Sequence, residues 1–225
     1  MSIVEEIALR QSLRFAFLLV GGGAALIYAA FLCHRGPSVI KSVVKSIPMP
    51  AFAAAVGVSF GAPMVVVALI LSAVGDLALS RDGERPFLIG LIGFALAHLV
   101  YILHFWALSG GILTDQLVAV AAIVIFAIST EFWLAPHTGE MKWPVRLYVL
   151  LISGMGITAL GLPGMTFAVV GAFAFMASDT ILSLQLFRMS ENSAWQRPAS
   201  VALWLLYAGG QFAIVAGAGW ATPLF

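Results

Sequence analysis

Long apolar runs alternate along this chain with short clusters of charge and proline. The breaks leave eight segments, at about residues 13 to 33, 46 to 61, 63 to 80, 87 to 108, 112 to 134, 144 to 162, 164 to 187 and 198 to 220. A spanning helix needs about 20 mostly apolar residues to cross about 30 Å of hydrocarbon. The pattern therefore predicts an all-α fold, a polytopic membrane helical bundle of about eight transmembrane helices forming one domain over 1–225. The runs are apolar on every side and do not alternate with a period of two, which excludes a transmembrane β-barrel. The second segment is the shortest, and Pro48 and Pro50 near its start predict an irregular turn there. The first run follows Arg10 and Arg14 as a signal peptide would. It is too long for a signal core and lacks a small-residue cleavage site, so it reads as a span.

Composition narrows the picture further. At 225 residues, 62% hydrophobic and 9% charged, the chain lies outside the range of soluble domains. Eight spans take about 160 residues and leave about 65 for loops and ends, so no soluble domain fits. The net charge is +1 and the eleven Lys and Arg are scattered, so no basic face exists to follow a phosphate backbone and nucleic acid is excluded as a partner. Cys33 is the only cysteine, which rules out an internal disulfide and a cysteine-based metal site; it reads as packing. Charge alternates between loops. The first, third, fifth and seventh hold Arg35, Lys41, Lys45, Arg81, Arg85, Lys142, Arg146, Arg188 and Arg197, while the even loops hold no Lys or Arg. Cytoplasmic loops carry the positive excess, so both termini are expected outside, in an integral protein of a bacterial inner (cell) membrane.

A charged group in hydrocarbon costs about 2.5 to 3.5 kcal/mol or more, so an intramembrane acid marks a functional hypothesis. Asp76, in Ser72-Ala-Val-Gly-Asp76-Leu-Ala-Leu-Ser80, and Asp179, in Met176-Ala-Ser-Asp179-Thr-Ile-Leu-Ser183, both qualify. At 1.5 Å per residue they lie roughly 8 Å and 14 Å from the basic loops at Arg81 and Arg188, in the same leaflet. Aligned on the aspartates, the segments share a small residue before, a leucine three after and a serine four after. This hints at a four-plus-four internal repeat of the kind found in transporters, which would set the two acids face to face.

Other polar groups fall at helical spacing. His98 and Tyr101 share a face of the fourth span, Tyr207 and Gln211 share a face of the eighth, and Tyr148 lies near the cytoplasmic end of the sixth. Each either positions a ligand or hydrogen-bonds a neighbouring helix. His104 is turned away from His98. Glu131 reads as snorkelling to the interface. Lys45 reads either as a point charge for a lipid phosphate or as an interfacial anchor. Asp115, His34 and His137 read as exposed interface residues. A histidine-rich zinc site cannot be built from these positions; Asp76, Asp179 and His98 together are the one set that could hold an ion, and no metal or other cofactor is expected.

Several of these pieces together resemble the YhhN-like family of membrane proteins, whose characterised members are lysoplasmalogenases. The resemblance covers about residues 13 to 220. It rests on Gly75-Asp76 followed after a basic loop by Phe87-Leu-Ile-Gly90, on Phe94-Ala-Leu-Ala-His98-Leu-Val-Tyr101, on Gly171-Ala-Phe-Ala-Phe-Met-Ala-Ser-Asp179, and on Tyr207 with Gln211. The family often carries Lys-Pro entering the second span, whereas here Ser46 and Ile47 separate Lys45 from Pro48.

The resemblance implies a hydrolase that cleaves the vinyl ether of a lysoplasmalogen, or a related lysophospholipid, to a fatty aldehyde and glycerophosphoethanolamine or glycerophosphocholine. The residues suit that chemistry. Protonation of the outer alkene carbon creates an oxocarbenium ion, water captures it, and the hemiacetal collapses. Two carboxyl groups suffice, one protonated and one an anion beside the cation, as in glycosidases. Asp179, deeper in the membrane, is expected as general acid and Asp76, nearer water, as the anion. His98, Tyr101, Tyr148, Tyr207, Gln211 and Lys45 would bind or position the substrate. The alternative is a proton-coupled lipid or small-molecule transporter, or a lipid-binding membrane protein, in which the acids relay protons.

Overall fold

The computed structural model describes residues 2–220, which are helical with no strand among them. Helix α1 covers Ile3–Ile27 and passes into a π-helical turn over Tyr28–Leu32. There follow α2 (Val39–Ser46), α3 (Pro48–Val58), α4 (Pro63–Ala78), α5 (Glu84–Leu108), α6 (Leu117–Trp133), α7 (Lys142–Leu160), α8 (Thr166–Phe187) and α9 (Gln196–Ala218). Seven runs are long and apolar enough to cross a membrane, with α2 and α3 counted as one; α4, of 16 residues, is apolar but shorter. The molecule is an all-α, polytopic membrane bundle.

Two boundaries differ from the sequence expectation. Helix α1 starts about ten residues early because Ser2 caps it: the Glu5 amide donates to Ser2 Oγ at 3.2 Å, and the Ser2 amide donates to the Glu5 carboxylate at 2.7 Å. Glu5 and Glu6 then face the positive end of the helix dipole. The second span likewise starts early, at Val39, where Ser38 Oγ accepts from the Lys41 amide. Pro48 and Pro50 do not form an irregular turn. They occupy the first turn of α3, where a missing amide donor breaks no hydrogen bond, and only Ile47 separates α2 from α3. Lys41 and Lys45 consequently stand on α2 and not in a loop.

Contacts between connections sort the ends of the helices. Arg10 donates to Val58 O, the Ala62 amide to Gly219 O, the Gly110 amide to Gly161 O, and His104 Nε2 lies 3.1 Å from Ala218 O. The even connections and both described chain ends therefore gather at one end of the bundle. At the other end Arg146 meets Glu131, and Arg188 meets His137.

Two helix pairs pack with backbones in contact. A Cβ at Gly171 would stand 2.5 Å from Gly210 O, and one at Gly93 would stand 3.1 Å from both Gly75 N and Leu71 O. Only glycine lets α8 meet α9, and α4 meet α5, so closely. In each pair the first helix carries one of the two aspartates. That parallel motivates the four-plus-four repeat, which stays a proposal.

Candidate active site

Asp76 is 1% exposed and sits two residues before the end of α4. Tyr207 Oη on α9 donates to its Oδ2 at 2.6 Å, and Lys45 Nζ on α2 lies 3.4 Å from its Oδ1. One turn away on the same two helices, Gln211 Nε2 donates to Ser72 Oγ at 2.9 Å, and Gln211 Oε1 accepts from Tyr101 Oη of α5 at 2.6 Å. This is a ladder with two rungs: Ser72 and Asp76 are four apart on α4, and Tyr207 and Gln211 are four apart on α9. Ser72 was not singled out from sequence, although its spacing from Asp76 places it on the same face. Lys45 serves as counter-ion to Asp76, which neither sequence reading of that lysine anticipated.

Asp179, on α8, forms a second centre. Tyr148 Oη of α7 donates to its Oδ2, and His98 Nε2 of α5 lies 3.8 Å from the same oxygen. That separation is too long for a direct hydrogen bond. The His98 ring is fully buried, with no hydrogen-bond partner for either nitrogen among the described residues. A buried imidazole without partners is costly to keep; the ring does not itself line the apolar cleft beside this centre and lies behind Asp179 and Tyr148, which do. It stands edge-on to Tyr148 at 5.2 Å and 4.6 Å from the Phe175 ring.

The two centres are neighbours but do not merge. Phe94 and Phe175 lie between them, their rings 5.6 and 5.2 Å from Tyr207. Gly75 leaves the space Phe94 uses, since a Cβ there would come within 2.7 Å of that ring. No hydrogen bond joins the two carboxyl groups among the described residues, in contrast to the face-to-face pair anticipated. Nor does any group of three His, Cys, Asp or Glu side chains there lie close enough together to hold a metal ion, so Asp76, Asp179 and His98 do not form the ion site weighed from sequence.

A narrow apolar cleft runs beside the second centre between α5, α6, α7 and α8. Asp179 and Tyr148 line it, with Ser153, Thr180 and Ser183; Asp76 and Tyr207 do not. The cleft reaches Phe87, Trp133 and Phe187, where α5 begins and α6 and α8 end, hence the end carrying the basic loops. The exposures of the acids are thus the reverse of the sequence reading. Asp179, farther along its helix from the basic loops, reaches open space, and Asp76, closer to them, is sealed in. Depth and access differ because Lys45 and Tyr207 cover Asp76 on both sides.

Of the remaining polar positions, Glu131 pairs with Arg146 and His104 meets Ala218 O; Asp115 and His137 are exposed as expected, whereas His34 is half-buried. The chain from residue 40 to 218 matches the family model described as the YhhN family. It belongs to that family. Among curated relatives, bovine lysoplasmalogenase TMEM86A (Bos taurus) is 28% identical over 178 residues, covering 71% of this chain and 72% of the relative. The human (Homo sapiens) lysoplasmalogenase TMEM86A matches with the same identity and coverage. No solved structure matches.

Proposed function

We propose that this YhhN-family protein is a membrane-embedded hydrolase that cleaves the vinyl ether of lysoplasmalogens, releasing a fatty aldehyde and glycerophosphoethanolamine or glycerophosphocholine. The observation that carries the reading is Asp179: an acid on the wall of an apolar cleft, held by Tyr148 and facing an unpartnered His98.

No Lys or Arg lies within salt-bridge distance of Asp179 among the described residues, whereas Asp76 has Lys45. On that difference in partners the reading gives Asp179, on the cleft wall, the part of proton donor and Asp76, held by Lys45, the part of fixed charge. Asp179 gives its proton to the outer alkene carbon, and the electron pair of the double bond forms the new C–H bond. The ether oxygen then shares the positive charge as an oxocarbenium ion beside the new Asp179 carboxylate. Water adds to the cationic carbon and returns a proton to Asp179. The hemiacetal breaks its carbon–oxygen bond to give aldehyde and the glycerol hydroxyl. Asp76, behind Phe175, acts as a positioning and electrostatic residue through Tyr207 and Lys45. Tyr101, Gln211 and Ser72 brace α5, α9 and α4 around it.

Incubating the purified protein with a lysoplasmalogen in heavy water tests this directly. The freshly released aldehyde should carry one deuterium on its second carbon, and the saturated ether analogue should not be cleaved. Aldehyde lacking that deuterium rules out alkene protonation, and no aldehyde at all returns the protein to the carrier reading. Asp179→Asn should lower turnover by about 10²- to 10⁴-fold, the usual range for removing a general acid, with folded protein recovered in normal yield. Near-normal turnover in that variant would defeat the assignment.

A further inference from the structure

One contact next to the basic-loop end of the cleft is not used by the chemistry above. Arg188 directly follows Leu186 and Phe187, which line the cleft at the end of α8; His137 lies three residues after Leu134, which lines it from the far side. The Arg188 guanidinium lies against the His137 ring, its Nη1 touching both Nε2 and Nδ1. No carboxylate lies within salt-bridge distance of Arg188 among the described residues, while its neighbour Arg146 is matched by Glu131. An imidazole offers one acceptor and no negative charge when neutral, so most of the guanidinium donors and all of its charge remain available. Their planar fork matches a phosphate.

The spacing fits a particular ligand. Asp179 and Arg188 are nine residues apart on one strand of chain, about 13 Å along a helix axis. In a 1-alkenyl glycerophospholipid, six bonds separate the vinyl ether carbon from phosphorus, about 7 Å when extended. The stem of an arginine side chain covers the remaining roughly 6 Å. We propose that Arg188, exchanging His137 for the lipid, binds the headgroup phosphodiester and so sets the vinyl ether against Asp179. This rests on the lysoplasmalogenase reading and gives its site a headgroup anchor.

The test compares two substrates in the full-length protein purified in detergent: a lysoplasmalogen, and the 1-alkenylglycerol that lacks the phosphate. For Arg188→Gln the ratio of kcat/KM between the phosphorylated and phosphate-free substrates should fall about tenfold or more, as expected for loss of a charge-assisted contact, and the change should appear in KM. Arg188→Lys should restore part of the ratio, and His137→Ala should not lower it. Glycerophosphoethanolamine should inhibit the unmodified protein competitively and more strongly than inorganic phosphate. Equal losses on both substrates would show a structural role and overturn the proposal; so would inhibition by inorganic phosphate as strong as by the glycerophosphodiester, which would mark a site for free phosphate. An unchanged ratio in a protein that still releases aldehyde sinks the anchor alone, whereas absence of aldehyde from either substrate sinks the hydrolase reading beneath it.

Discussion

Asp76 and Asp179 are the same residue type, yet their neighbours give them different work. Lys45 and Tyr207 enclose Asp76, and the ion pair is almost wholly buried, at 14% and 2% side-chain exposure. Removing one partner of a buried pair leaves the other charge uncompensated and typically costs about 3–5 kcal/mol, while replacing both with apolar groups is often neutral or stabilising. Asp76→Asn should therefore lower the unfolding temperature in detergent markedly, and adding Lys45→Met should recover most of that loss. If the double variant is less stable than the single, Lys45 and Asp76 do not form the pair seen here. Asp179 has no such cation, so Asp179→Asn should leave thermal stability nearly unchanged. The two aspartates are thus separable by stability as well as by turnover.

Among the helices, α8 and α9 pack most closely around the site and α6 least closely. A valine at Gly171 would drive its Cβ into Gly210 O; overpacking of this kind costs typically about 1–3 kcal/mol, and Gly171→Val should appear as a lower unfolding temperature together with lost activity, since Asp179 rides on α8. Helix α6 packs mainly on α7, because the cleft separates it from α5 and α8. Past Asp179 the cleft continues to Met176 on α8 and Ser153 on α7, about one helical turn along α8. An alkenyl tail longer than that has to leave between α6 and its neighbours into the lipid. Across a series of lysoplasmalogens differing only in tail length, kcat/KM should accordingly be flat once the tail exceeds this space, and a sharp optimum at one length would contradict a laterally open cleft.

At the scale of the whole molecule, the even connections and both described chain ends share one end, and the basic loops and the Phe87–Phe187 end of the cleft share the other. We propose from the excess of positive residues that this second end is cytoplasmic; a C-terminal reporter active only outside the cytoplasm should then score, and the headgroup should enter from the inner leaflet. A reporter active only in the cytoplasm would invert both. Much of this architecture was legible in the residues themselves. A bilayer admits helices only where some twenty apolar residues run together, so the number and order of spans follow from hydropathy. The cost of charge in hydrocarbon likewise makes Asp76 and Asp179 conspicuous before any fold is known. Helix boundaries near Ser2, Ser38 and Pro48 were less legible, because capping and first-turn proline are local chemistry that a hydropathy window averages away. The pairing of Lys45 with Asp76, the wall of Phe94 and Phe175 between the two centres, and the cleft that reaches Asp179 but not Asp76 were decided only in three dimensions. Helices that are apolar on every side carry little periodicity to say which face turns inward, so their rotation is set by where glycines let backbones meet and where buried polar groups find partners.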